Sequence, residues 1–335
     1  MSLEVAWFVI VGFFWTGFFV LEGFDFGVGM LHRSVGRTEA GRRAVLGSVG
    51  PLWDGNEVWL IVGGAAIFAA FPAWYATWFS AGYLAVMLLL VALIIRGVSF
   101  EWRGRSDGRR WRGWWSWTLT IGSALIPLVL GIALGDLLVG LPINDEELFT
   151  GSFWDLFTLY GLWMGLTLVT LSLLHGSTFL GLRTEGVVTD RAHAMASRLS
   201  WPAVLVVVVF AAWTVAISDG GVWRVAAAAL PVLGALTAAV LLRAGREVGS
   251  FAGTAVAIGG TVAALFANLY PQVMVSSTST ANSLTVAGAA SSEYALKVMT
   301  VVAAVVTPLV LLYQGWSYWV FRARVSSPDA VEVGS

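Results

Sequence analysis

Long apolar stretches, separated by arginine-rich or Gly/Pro-containing turns, leave this chain few ways to fold. A bilayer-crossing helix needs about 20 predominantly apolar residues. Nine stretches approach or exceed that length, at 5–31, 52–71, 75–99, 114–139, 153–180, 200–217, 222–242, 250–271 and 296–321. Charged residues make up 12% of the chain and hydrophobic ones 58%, whereas a soluble domain carries about a quarter charged residues. The expected class is an all-α integral membrane protein of nine transmembrane helices. The first stretch is too long for a signal peptide and lacks a basic leader and a small-residue cleavage site, so it reads as a retained span. Cysteine is absent, which excludes disulfides and thiolate-bound metal.

Charge orients the spans. The loops after spans 1, 3, 5, 7 and 9 hold 16 of the 19 basic residues, among them Arg33, Arg37, Arg103, Arg109, Arg191, Arg243 and Arg322. The opposite connections are FPAW, the acidic LPINDEELFTG, a tight SDGG turn and a Ser/Thr-rich stretch at 272–295. The positive-inside rule then places the N-terminus outside and the C-terminus in the cytoplasm. The localisation that follows is a bacterial cytoplasmic (inner) membrane, with lipid as the surrounding partner. Nine spans divide into one four-helix unit at 1–139, a second at 153–271 and an extra peripheral helix at 296–321. Any repeat relating the two units would be parallel, because spans 1 and 5 enter from the same side. Gly131/Gly135 and Gly161/Gly165 are small pairs at spacing four, a pattern that lets helices approach closely.

Against this apolar background the carboxylates stand out. Glu22 and Asp25 interrupt FFVLEGFDFGVGM, and Asp54 and Glu57 open WDGNEVWLIVGG. Asp25 precedes Leu31, the inner end of its span, by six residues, about 9 Å at helical rise, and Glu22 lies a turn deeper. Residues 15, 18, 22, 25 and 29 fall on one helical face. Span 2 begins at the same membrane side, with Asn56 near its two acids, and span 3 returns there carrying Arg96. Four acids and one base from three consecutive helices therefore converge on one depth. Asp54 and Arg96 can be read simply as helix-end charges reaching water. Glu22 cannot, because a mid-span carboxylate facing lipid costs about 2.5–3.5 kcal/mol and is too short to reach the interface. A polar, bundle-facing site is the better reading. Acids held there exchange protons instead of remaining permanently ionised, so the cluster reads as a proton-uptake path opening on the cytoplasm.

Haem ligation within the bundle would need facing His or Met side chains. His32 and His193 fall in basic loops, and His175 stands alone near the end of span 5, where it reads as a polar packing residue. No phosphate-binding Gly-rich motif is present, and nothing points to nucleic acid. The chain is expected to bind no haem or metal by itself.

Four blocks carry a family resemblance: LEGFDFGVGML (21–31), GPLWDGNEVWLIVGGAAIFAAFP (50–72), LLLVALIIRGVSFEWR (88–103) and LKVMTVVAAVVTPLVLLYQGWSYWVFRARV (296–325). Together, in this order, they resemble subunit II of the cytochrome bd-type quinol oxidases, while the middle of the chain carries little signature. One departure lies near the end of span 8, where the family often has Phe-Pro and this chain has FANLYPQVM with proline only at 271. The resemblance implies a haem-free subunit paired with a haem-bearing subunit I that holds b- and d-type haems. That complex oxidises quinol, reduces O2 to water and takes the protons from the cytoplasm without pumping. Carried onto this sequence, the motifs make Asp25 and Asp54 members of a cytoplasmic proton channel, with Glu22, Glu57 and Arg96 beside them. Trp59 becomes a candidate for an O2 passage, with simple packing as its alternative. Some relatives also hold a structural quinone (menaquinone or ubiquinone) in this subunit, or carry small accessory subunits.

A rival of another class is a proton-coupled secondary transporter using Glu22, Asp25 and Asp54. Against it, no Gly/Pro-broken helices occupy corresponding places in two halves. A purely structural subunit with no proton traffic is the remaining alternative.

Overall fold

In the computed structural model, which describes residues 1–218 and 220–326, each long apolar stretch is helical. The helices are α1 (Leu3–Val35), α2 (Glu39–Gly47), α3 (Trp53–Ala70), α4 (Pro72–Ala81), α5 (Tyr83–Trp102), α6 (Arg109–Val139), α7 (Leu159–Arg183), α8 (Val187–Ile217), α9 (Val222–Arg243), α10 (Glu247–Leu269) and α11 (Glu293–Val320). Their ends follow local chemistry. Ser2 caps α1, Thr158 caps α7 and Ser292 caps α11 by accepting a first-turn backbone N–H, each supplying a partner that the helix cannot supply itself. Pro72 opens α4, where its missing N–H costs nothing.

Among the described residues, eight helices are long and apolar enough to cross a membrane, against the nine spans expected. The difference is α3, an 18-residue helix whose first turns hold Asp54, Asn56 and Glu57. The expected third span is divided at Gly82 into α4 and α5. The expected sixth begins far earlier than residue 200, because Val188, Ala192 and Ala196 bury one face of a polar-looking segment and continue the helix. The expected SDGG turn includes Asp219, which lies outside the described residues. Pro127, Pro202, Pro231 and Pro308 sit within continuous helices; neighbouring groups in a bundle make such positions tolerable.

Helix α1 is the axis of the bundle and packs against α3, α6, α7 and α10. Two glycine contacts set how closely its neighbours approach. A methyl on Gly27 would lie 2.0 Å from the Ser172 carbonyl oxygen, and one on Gly131 would lie 2.5 Å from the Gly165 Cα. The Gly131/Gly135 and Gly161/Gly165 pairs thus face each other across the α6–α7 crossing. At the end of the bundle opposite the arginine-rich loops, a short hairpin of β1 (Gln272–Met274) and β2 (Leu284–Thr285) covers the helix tips. Ser276 Oγ donates to Ile143 O at 2.9 Å, and Ser291 N to Ala70 O at 2.8 Å, tying this cover to the α6–α7 loop and to α3.

Helix α11 is the exception to this packing. Leu296 is its one fully buried residue among those described. It is fastened at one end by Trp7, whose Nε1 donates to Leu296 O at 3.2 Å and to Thr300 Oγ1 at 3.0 Å. At the arginine-rich end, α2 contributes Glu39, which accepts from Arg103 Nη1 and Nη2 at 2.9 and 2.8 Å. Burial alone would raise Glu39, but Arg103, with Arg112 and Arg42, outweighs it and holds the carboxyl below its ordinary range.

Candidate functional site

The face of α1 read from its spacing is turned inward. Trp15, Phe18, Glu22, Asp25 and Gly29 are all buried, with Glu22 and Asp25 fully shielded from solvent. Arg96 of α5 is equally buried and reaches both α1 and α3. Its Nη2 lies 2.6 Å from Glu22 Oε1 and its Nη1 lies 3.2 Å from Glu57 Oε2. Gly122 of α6 makes room for this arginine, since a methyl there would sit 3.1 Å from Arg96 Cβ. The guanidinium carbon also lies 4.9 Å from the centre of the Phe26 ring and 5.4 Å from that of Phe100. Aromatic faces attract a cation, and these two rings pack beside Arg96 along with its acids.

Asp25 is held from α3. Asn56 Nδ2 donates to Asp25 Oδ2 at 2.7 Å and to Leu21 O at 3.2 Å. On the other side of the amide, Asn56 Oδ1 accepts from Gln314 Nε2 and from the Tyr318 hydroxyl, both at 2.8 Å. The acids are graded in burial: Asp54 is exposed, the Glu57 side chain is 22% exposed, and Glu22 and Asp25 are sealed. Glu22, Asp25, Glu57 and Arg96 therefore form one cluster, and Asp54 stands outside its bonds.

Asp54 and Glu57 also line an apolar cavity of ≈790 Å³ among α3, α4, α5 and α6, which Trp15 of α1 reaches. Trp15, Trp53 and Trp78 contribute to its walls, and the remaining lining is aliphatic or aromatic apart from the two acids. Trp59 does not line this cavity. Its ring fills the notch left by Gly17, where a methyl would lie 2.4 Å away, and meets Phe13 and Phe14 edge-on.

His175, expected as a packing residue, is buried with both ring nitrogens engaged: Nε2 donates to Val20 O at 3.1 Å and Nδ1 lies 2.7 Å from Thr254 Oγ1. Its ring stacks on Phe251 at 4.5 Å. Two members of the site had no signal in local spacing. Gln314 and Tyr318 are far from Asn56 along the chain, and their separation of four merely puts them on one face of α11. Asp136, near the far end of α6, is a further buried acid, away from the cluster; Thr158 donates to its Oδ1 at 2.5 Å, across the α6–α7 turn.

Fold and site together define an integral membrane subunit built around a sealed acid–base cluster that grades toward one end of the bundle. The sequence matches the family described as "Cytochrome bd terminal oxidase subunit II" over residues 3–321. It is 41% identical over 332 residues to the cytochrome bd ubiquinol oxidase subunit 2 of Bacillus subtilis (strain 168), covering 98% of each chain. It is 35% identical over 364 residues to the cytochrome bd-I ubiquinol oxidase subunit 2 of Escherichia coli (strain K12), covering 98% of this chain and 96% of that one. The fold aligns with a chain of the bd oxidase from Geobacillus thermodenitrificans at a TM-score of 0.72 and 19% identity, covering 96% and 97%. The chain belongs to the cytochrome bd terminal oxidase subunit II family. Its activity is that of an oxidoreductase complex in which it is the second subunit.

Proposed function

We propose that this chain scaffolds a haem-bearing subunit I and feeds cytoplasmic protons to its oxygen-reducing centre. The complex would oxidise a quinol, as the names of the relatives indicate for them, and reduce O2 to water without pumping. The observation that carries the reading is the graded acid series. Asp54 would take up protons at the cytoplasmic surface, Glu57 would pass them inward, and Glu22 and Asp25 would hold them beside Arg96. One cation facing three carboxyls leaves two negative charges that protons can balance, and an unbalanced charge in a shielded site is costly. The site therefore favours bound protons without any fixed acceptor. Nine crossings, with α3 as the ninth and the arginine-rich end in the cytoplasm, are part of this proposal, as are the two four-helix units at 1–139 and 153–271.

The apolar cavity beside Asp54 and Glu57 is the candidate seat for a structural quinone. Its walls suit an isoprenoid tail, and Trp53, Asp54 and Glu57 would meet the polar head. A quinone supplies two-electron redox chemistry when bound; the part this chain would play is holding it. The apolar flank of the site, where Trp59 meets Phe13 and Phe14, is the proposed entry for O2. Small accessory subunits would add to the periphery of the complex.

Asp25→Asn in the assembled complex tests the reading. Oxygen reduction should fall about tenfold, an effect of about 1.4 kcal/mol on the barrier, with haem content unchanged. Full turnover in a complex of normal composition would reject the proton role, and loss of the haem spectrum would assign Asp25 to structure alone. Co-purification with a second, coloured chain separates the oxidase from a proton-coupled transporter, which would be colourless by itself.

A further inference from the structure

We infer that Asn56 is a positioning residue that couples the Asp25 carboxyl to the last helix, α11. The inference rests on the proton-path reading for its functional meaning and on geometry for the link itself. The orientation of the Asn56 amide is set by the Leu21 carbonyl, which can only accept and so faces Nδ2 at 3.2 Å. That leaves Nδ2 to donate to Asp25 Oδ2 at 2.7 Å, with Oδ1 facing away from the acid. Both groups that meet Oδ1 come from α11: Gln314 Nε2 and the Tyr318 hydroxyl, each at 2.8 Å. An amide oxygen accepts two hydrogen bonds and an amide nitrogen donates two, so Asn56 is fully used. It cannot turn without breaking bonds on both sides.

The character of α11 gives this link its consequence. The helix buries one residue fully among those described, and its outward face exposes Val301, Val305, Leu309, Leu312 and Trp316. What holds it to the bundle is largely polar and local: Trp7 near its start, and Gln314 and Tyr318 near its end. Tyr318 also lies edge-on to Phe24, with ring centres 6.4 Å apart. A shift of α11 by a fraction of a turn would withdraw both donors from Asn56 and free its amide to leave Asp25. The placement of α11 would then decide how Asp25 is hydrogen-bonded. The other ionisable groups around Asp25 are Glu22 on its own helix, Glu57 on α3, Arg96 on α5 and the Tyr318 phenol itself; Asn56 is the direct bridge from the acid to α11.

The test uses the purified complex and two readouts, the pH profile of O2 consumption and the infrared band of the protonated Asp25 carboxyl, assigned by its loss in Asp25→Asn. Tyr318→Phe removes one donor to Asn56 and keeps the ring beside Phe24; Asn56→Leu removes the whole bridge. Tyr313→Phe, at an exposed position on the same helix, serves as the control. With haem content at the wild-type level, Asn56→Leu should raise the pH of half-maximal turnover by about one unit, because the ionised Asp25 carboxyl loses a donor, the size expected of one hydrogen bond to a charged group. Tyr318→Phe should move it in the same sense by less, both should shift the carboxyl band, and Tyr313→Phe should do neither. If profile and band in Tyr318→Phe coincide with wild type, the coupling is refuted, including where Asn56→Leu does not assemble. Full turnover in Asp25→Asn would remove the proton-path reading while leaving the band shift in Tyr318→Phe to decide the link on its own.

Discussion

The ion pair of Glu22 and Arg96 should cost less to remove from both sides at once than its two single losses added together. Its atoms approach to 2.6 Å and both side chains are fully shielded. Unit charges about 4 Å apart interact by about 4 kcal/mol at an effective dielectric constant near 20. Removing one member of such a pair costs about 3–5 kcal/mol, because the survivor remains buried without its counter-charge. Arg96→Met takes the cation from both Glu22 and Glu57 and should fall in that range. Glu22→Gln leaves Arg96 with Glu57 at 3.2 Å, so its loss should be smaller. In the double variant no charge is stranded at the pair. Its destabilisation should therefore undershoot the sum of the singles by about 1–3 kcal/mol, the coupling expected of contacting groups. The assay is equilibrium unfolding of the purified complex in graded SDS, followed by tryptophan fluorescence, which the 18 tryptophans of this chain make strong. Losses that add to within about 0.5 kcal/mol would mean that the two groups do not depend on each other, and the argument for a sealed ionic cluster would fail with them.

Gly27→Val should prevent stable assembly, since its added carbon would lie 2.0 Å from the Ser172 carbonyl and 2.7 Å from the Gly176 Cα; overpacking against backbone costs about 1–3 kcal/mol or more. Gly113→Ala, where an added methyl meets nothing within 4 Å, should assemble normally, and the yield of intact complex compares the two. Glu39→Gln should lower stability slightly at pH 7, by no more than about 1 kcal/mol for a partly exposed cluster, seen as a small fall in thermal midpoint. Because the folded carboxyl is held below its ordinary value, its contribution is complete above about pH 4.3 and is lost as pH falls through the lowered value. The gap between variant and wild type should therefore close on acidification; a gap that stays constant down to pH 3 would refute the assignment.

Much of the candidate site can be read from spacing because its members lie on few helices. Glu22 and Asp25 share an α1 face with Trp15 and Phe18, and all four are buried together. Charge placement likewise brings Glu57 and Arg96 to the depth of Glu22, where they meet. Depth along a helix is not contact, however. Asp54 lies on the helix of Glu57, yet it stands exposed, because it sits in the first turn of α3, one turn nearer the helix end than Glu57. The count of crossing helices shows the same limit at α3, where the residues that build the site are those that lower its apolarity below that of the other eight.

The sequence alone determined the membrane class, much of the helical repertoire and the family, since each is set by local composition, periodicity along one helix or a string of matching residues. Tertiary structure alone decided that Arg96 serves two acids, that Asn56 is saturated by four bonds, and that α11 reaches Asp25 through Gln314 and Tyr318. Those relations join residues from 31 to 262 positions apart, on different helices, and no helical period links them. They exist because packing sets the rotation and distance of one helix against another, and a hydrogen bond is lost when either changes by about an ångström.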